Sequence, residues 1–127
     1  MTHFLSELNP AQQEAVTAAD GPVLVLAGPG SGKTRVLIHR AGYLIRERGV
    51  EPWRLMAVTF TNKAARELKE RLSAQGILSP AQLNALTVGT FHAICARILR
   101  REVERLGGFD RNFVIFDTDD QVAVVKQ

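Results

Sequence analysis

Residues 27–34 read Ala27-Gly28-Pro29-Gly30-Ser31-Gly32-Lys33-Thr34 and directly follow the apolar run Pro22-Val23-Leu24-Val25-Leu26. A buried strand that breaks into a glycine loop and re-emerges as a helix opening on Lys and Thr has the layout of a phosphate-binding loop. Glycines without a Cβ let successive backbone N–H groups converge on an anion, and the unpaired N–H groups of a helix start add partial positive charge. In that arrangement Lys33 reaches the β- and γ-phosphates as a point charge, and the Thr34 hydroxyl ligates Mg²⁺. One position departs from the G-x-x-x-x-G-K-[ST] pattern, because Ala27 stands where the first glycine is expected.

Nucleotide hydrolysis needs more than a cradle: a strand-end acid for the metal, a group that positions the attacking water, and an arginine. The one candidate acid is Asp117, after Phe113-Val114-Ile115-Phe116, but Thr118 follows it and leaves no adjacent base. An N-cap role for Asp117, before Thr118-Asp119-Asp120-Gln121, fits better. Gln12 has two readings. Its amide can return to the Asn9 backbone in a capping box, which the spacing favours, or it can recognise a nucleotide base. Phe60 and His92 can complete the core and cap a neighbouring backbone group, or stack on and bond to unpaired bases; as isolated residues they favour the former. Asn62-Lys63-Ala64-Ala65 lacks the acid of a guanine-recognition motif, and His3, His39 and His92 are not spaced as zinc ligands.

The elements that must position these residues follow from the pattern. Asn9 suits an N-cap and Pro10 a first helical position, so a helix starts there. A strand over 22–27 feeds the glycine loop, and a helix runs from Lys33 to about Arg48 with Val36, Leu37, Ala41, Leu44 and Ile45 on one face and Gly49 as its stop. A second strand, 55–60, leads through Thr61 or Asn62 into a helix with Ala64, Ala65, Leu68 and Leu72 as its stripe. Ser79-Pro80 opens a short helix. A short strand at Thr87-Val88-Gly89 passes through Thr90-Phe91-His92 into a helix carrying Ile94, Cys95, Ile98, Leu99, Val103 and Leu106, which Gly107-Gly108 ends. Residues 113–117 read as a strand or extended run. Alternation of this kind implies an α/β fold with a parallel sheet and helices on both faces, with ligand at the carboxyl ends of the strands.

Composition sets wide bounds. The 127 residues, 46% apolar, amount to one domain's worth and are neither disordered nor membrane-like. No signal peptide or transmembrane run is evident. The lone Cys95 is expected to be a buried, inert thiol in a reducing cytoplasm. The net charge of +3 is unevenly spread: residues 33–71 hold ten Lys or Arg against four acids, while residues 1–32 hold three acids and no Lys or Arg. Such a block is either the solvated face of two helices or a footprint for a polyanion.

Together these residues resemble the N-terminus of a UvrD/PcrA/Rep-type superfamily-one DNA helicase. The matching pieces are Leu8-Asn9-Pro10-Ala11-Gln12-Gln13-Glu14-Ala15-Val16 (the Q motif), Ala27 to Thr34 with Arg35-Val36-Leu37 (motif I), Thr59-Phe60-Thr61-Asn62-Lys63-Ala64-Ala65 (motif Ia) and Gly89-Thr90-Phe91-His92 (the next DNA-contact motif). The family's loop begins with Ala, which accounts for Ala27. The resemblance implies a P-loop NTPase, RecA-like fold over 1–111, and the start of an inserted helical subdomain over 112–127. By the same resemblance Gln12 recognises adenine, Ala27, Gly28, Pro29, Gly30, Ser31, Gly32, Lys33 and Thr34 hold ATP and Mg²⁺, and Arg35 packs on the adenine face. Phe60, Asn62, Thr90 and His92 lie along single-stranded DNA. It further implies a cytoplasmic, 3′ to 5′ helicase acting on single strands and DNA junctions in repair or replication. The family's metal acid, catalytic glutamate and second-motor arginines have no counterpart here, and its acid-bearing strand lies beside the phosphate-loop strand. The 127 residues alone are therefore expected to be poorly stable and without appreciable ATPase. The alternatives are a non-catalytic nucleotide- or DNA-binding protein, or the helicase subunit of a helicase–nuclease complex.

Overall fold

A computed structural model describes residues 5–29, 32–115 and 117–126. The expectations at His3, at Gly30 and Ser31 of the glycine loop, and at Phe116 lie outside the described residues. The order is α1 (Pro10–Thr17), α2 (Lys33–Arg46), a 3₁₀ turn (Pro52–Arg54), β1 (Met56–Thr59), α3 (Asn62–Ala74), α4 (Pro80–Ala85), β2 (Thr87–Thr90), α5 (Phe91–Glu102), a second 3₁₀ turn (Val103–Leu106) and α6 (Thr118–Lys126). The chain divides into two compact units, the first ending at Phe91 and the second beginning at His92. Among the described residues, no helix is long and apolar enough to cross a membrane.

In the first unit the helix starts are written in local side-chain chemistry. The Gln12 backbone N–H donates to Asn9 Oδ1 at 2.8 Å while the Asn9 N–H donates to Gln12 Oε1 at 3.0 Å. Ser79 and Gln82 repeat this reciprocal box ahead of α4, and Thr61 Oγ1 accepts from the Ala64 N–H ahead of α3. Each satisfies N–H groups that a helix start otherwise leaves unpaired. Helix α2 begins differently, on Gly32 with φ of +79°, a left-handed conformation that favours glycine, and with no side-chain cap.

Strands β1 and β2 pair in parallel, from Met56 opposite Thr87 to Thr59 opposite Thr90. The core gathers Ile38, Ala41 and Ile45 of α2, Ala57 and Val88 of the strands and Ala65, Leu68 and Leu72 of α3, closed by Ile77, Leu78 and Leu86. The result is a mixed α/β unit around a small two-stranded parallel sheet.

Three sequence expectations for this chain's elements are corrected. Residues 22–27 form no strand: the segment is extended and unpaired, with Leu24 and Leu26 83% and 88% exposed. A strand exists only where a neighbour takes its N–H and C=O groups, and the described sheet holds β1 and β2 alone. The buried face of α2 is centred on Ile38, fully buried, together with His39, Ala41, Gly42 and Ile45, whereas Leu37 is 42% exposed. Leu37 and Ile38 both suit an apolar stripe at helical spacing; packing against α3 selects the latter. Cys95 is exposed rather than buried, because in the second unit the stripe of α5 stays partly open at Ile98 and Leu99.

Residues 113–115 of the second unit also form no strand. Arg100 of α5 holds this segment instead, donating from Nη1 to the Arg111 carbonyl at 2.9 Å, with its guanidinium carbon 4.6 Å from the centre of the Phe113 ring. Asp117 is the cap of α6: its Oδ1 accepts from the Asp120 N–H at 2.8 Å, and Asp120 Oδ2 returns the contact to the Asp117 N–H at 3.1 Å.

Candidate functional site

A cleft of about 590 Å³ lies in the first unit, walled by α1 on one side, the extended residues 23–28 on another and the first two turns of α2. Its size falls in the range of small-molecule sites, roughly 300–1,000 Å³. Ala15, Val23, Val25, Val36 and Leu37 make it mostly apolar, and Asn9 and Gln12 supply amides. Lys33 and Arg40 are the charged residues among the described lining, so the cleft carries two cations and no carboxylate. Such a wall attracts an anion that also has an apolar, planar part.

Gln12 takes the capping-box role that its spacing favours. Its Oε1 closes the capping box with Asn9, and its Nε2 faces the other way, against the start of α2. A Cβ built on Gly32 would come within 2.7 Å of that Nε2. Glycine at position 32 thus answers two demands at once, the left-handed turn and the close approach of the Gln12 amide. Lys33 is exposed at the helix start, and neither its ammonium nor the half-buried Thr34 hydroxyl has a hydrogen-bond partner among the described residues. A polyphosphate suits the chemistry of these groups: an exposed cation and a hydroxyl stand side by side in the first turn of a helix, whose N–H groups favour an anion. Thr34 offers Mg²⁺ one oxygen, which suits a metal held mainly by phosphate oxygens and water. Among the described residues no group of three or more His, Cys, Asp or Glu gathers that could hold a metal ion by itself.

Ala27 and Gly28 line the cleft with Gln12 and Lys33. Pro29, Gly32, Thr34 and Arg35 are not among its described lining residues. Arg35 points elsewhere, its Nη2 lying 3.3 Å from Glu7 Oε2 in a half-exposed ion pair. Arg40, which the sequence analysis did not single out, is a lining residue; a lone arginine on a helical pattern carries no signal that it faces a cleft.

Of the residues expected on DNA, Phe60, Asn62 and Thr90 belong to the first unit, near the carboxyl ends of the strands, and are not among the described lining of the cleft. Because Thr59 pairs with Thr90 in register, the next residue of each strand, Phe60 and Phe91, come together with ring centres 5.2 Å apart and planes tilted by 40°. Phe60 is 89% exposed, the opposite of a ring that completes the core, and Phe91 is 48% exposed. The turn beneath Phe60 is braced by Thr59 Oγ1, which donates to the Thr61 carbonyl at 3.0 Å. Asn62 is exposed at the first turn of α3, whereas Thr90 is buried at the end of β2. His92 is exposed and belongs to the second unit. Phe91 was missed as a partner of Phe60, since only the strand register reveals their adjacency.

Comparison with known proteins gives the family of the chain. Residues 8–127 match the family described as UvrD/REP helicase N-terminal domain. The chain is similar to the ATP-dependent DNA helicase PcrA of Bacillus subtilis, 57% identical over 123 residues that cover 97% of this chain and 16% of the relative. The PcrA proteins of Staphylococcus aureus and Staphylococcus epidermidis are 49% and 46% identical over 126 residues, covering 99% of the chain and 17% of each relative. The chain therefore spans about a sixth of the length of these relatives. On a match that runs through nearly all of its residues, the chain belongs to the UvrD/REP helicase N-terminal domain family.

Proposed function

We propose that this chain is the nucleotide-binding opening of the first motor domain of an ATP-dependent DNA helicase, a cytoplasmic enzyme that moves 3′ to 5′ on single-stranded DNA and acts at DNA junctions in repair or replication. The observation that carries the reading is the cleft in which Gln12, Gly28 and Lys33 meet without an opposing carboxylate among the described lining residues. The names of the relatives, ATP-dependent DNA helicases, support it. In this reading residues 1–111 belong to a RecA-like P-loop domain, and 112–127 begin an inserted helical subdomain.

Gln12 recognises the adenine edge, and Ala15, Val36 and Leu37 form the apolar bed for the base. Residues 27–33 hold the phosphates through backbone N–H groups and the Lys33 ammonium. Thr34 gives its hydroxyl to Mg²⁺, whose chemistry when bound is to neutralise charge on the phosphates. Arg35 exchanges Glu7 for the adenine face when nucleotide enters. No carboxylate is among the described lining residues, so these residues bind and orient a triphosphate and do not activate a water against it. Phe60, backed by Phe91, offers a ring on which an unpaired base stacks, with Asn62 and Thr90 of the same unit as further DNA contacts; His92, in the second unit, is read as a DNA contact by itself.

The test is ATP·Mg²⁺ binding by the full chain and by Lys33→Ala, read by calorimetry. Loss of a charge-assisted contact is expected to weaken binding by roughly 10- to 100-fold. Equal affinity in the two proteins would overturn the assignment of the cleft.

A further inference from the structure

Helix α1 is eight residues long, short of what stands alone in water, so its place depends on what holds its ends. The N-terminal end is closed locally by the Asn9 and Gln12 box. The C-terminal end has neither of the usual devices: its C-cap is Ala18, with φ of −52°, and no basic residue lies in its last turn. The last carbonyls of a helix lack intrahelical donors and carry partial negative charge. Arg40, reaching across from α2, meets that need. Its Nη1 donates to the Val16 carbonyl at 2.8 Å and to the Ala18 carbonyl at 2.6 Å.

We propose that Arg40 is a positioning residue for the nucleotide base, which acts by clamping the end of α1 to α2 and so holding the Gln12 amide over Gly32. Arg40 lies seven residues after Lys33, two helical turns and about 10.5 Å along α2. It is thus on the phosphate-binding helix but well removed from the loop that grips phosphate. Ala18 is also the C-cap at which the chain leaves α1, so one guanidinium fixes that end of α1 against α2. The proposal rests on the nucleotide reading of the cleft.

The experiment compares ATP with inorganic tripolyphosphate, which uses the loop but has no base, in the full chain, Arg40→Ala, Arg40→Lys, Gln12→Ala and the Gln12→Ala/Arg40→Ala pair. A clamp that works through Gln12 predicts that Arg40→Ala weakens ATP roughly tenfold and tripolyphosphate less than about twofold, on the scale of one lost charge-assisted contact. Arg40→Lys, which keeps the charge and enough N–H donors for both carbonyls but lacks the planar guanidinium and its reach, restores part of the loss. In the Gln12→Ala background Arg40→Ala adds less than about twofold, the non-additivity of residues acting as a unit. Equal losses for both ligands would make Arg40 a general folding residue and overturn the proposal, as would no loss for either or full additivity with Gln12→Ala. If the unaltered chain binds neither ligand, the nucleotide reading itself fails. If it binds both and only the Arg40 pattern is missing, that reading stands and the clamp falls.

Discussion

Residues 23–26 and residues 56–59 are two short apolar runs of the same unit, each leading into a loop and a helix, and they end in opposite surroundings. Met56–Thr59 pairs with Thr87–Thr90 and packs Ala57 into the core beneath α3. The earlier run, Val23-Leu24-Val25-Leu26, carries larger side chains and has more apolar surface to hide, yet each of its residues is about half exposed or more. Apolar content sets how much a segment gains from burial. It does not supply the partner. Most of the run still finds a use, because Val23, Val25 and Leu26 line the cleft, while Leu24 is not among its described lining residues.

The sharpest way to break the contrast is to shorten one side chain on each side of it. Leu68→Ala, at a site 1% exposed, is expected to cost about 2–5 kcal/mol in urea unfolding. Leu26→Ala should change stability by less than about 0.5 kcal/mol. If the two variants unfold alike, the run is buried in solution and its exposure here is wrong. A second exposed apolar side chain, Phe60, separates the two kinds of exposure. Phe60→Ala should weaken single-stranded DNA binding by the value of one stacked base, about 1–3 kcal/mol, in a fluorescence titration, while Leu26→Ala leaves it unchanged. Unaltered DNA affinity in Phe60→Ala would put Phe60 in the same class as Leu26.

Smaller effects sharpen how the cleft is held. Asn9→Ala removes one half of the capping box and should lower stability by about 1 kcal/mol, visible as a shift of the unfolding midpoint; no shift would mean that α1 is held by its other anchors alone. Glu7→Gln breaks a half-exposed ion pair and should alter stability by less than about 0.5 kcal/mol. Since it also frees Arg35, ATP affinity should rise slightly, and a fall would show that the pair supports the cleft instead of competing with the base.

Much of this was legible along the chain because it is local. Asn9 with Gln12, Ser79 with Gln82, Thr61 before Ala64 and Asp117 before Asp120 each close a hydrogen bond within three residues, so residue type and spacing are enough to place the helix starts. Lys33 and Thr34 stand at the first turn of α2, as their order after Gly32 requires. What only the tertiary structure decided involves groups far apart in sequence. Ile38 rather than Leu37 faces the core because α3 packs there; Arg40 meets carbonyls 22 and 24 residues earlier; Phe60 meets Phe91 because two strands pair in one register. The stripe of α5 that would have hidden Cys95 is left partly open. A side chain's type fixes which contacts it can satisfy, but which partner arrives depends on where the other elements pack, and that is settled by the fold as a whole.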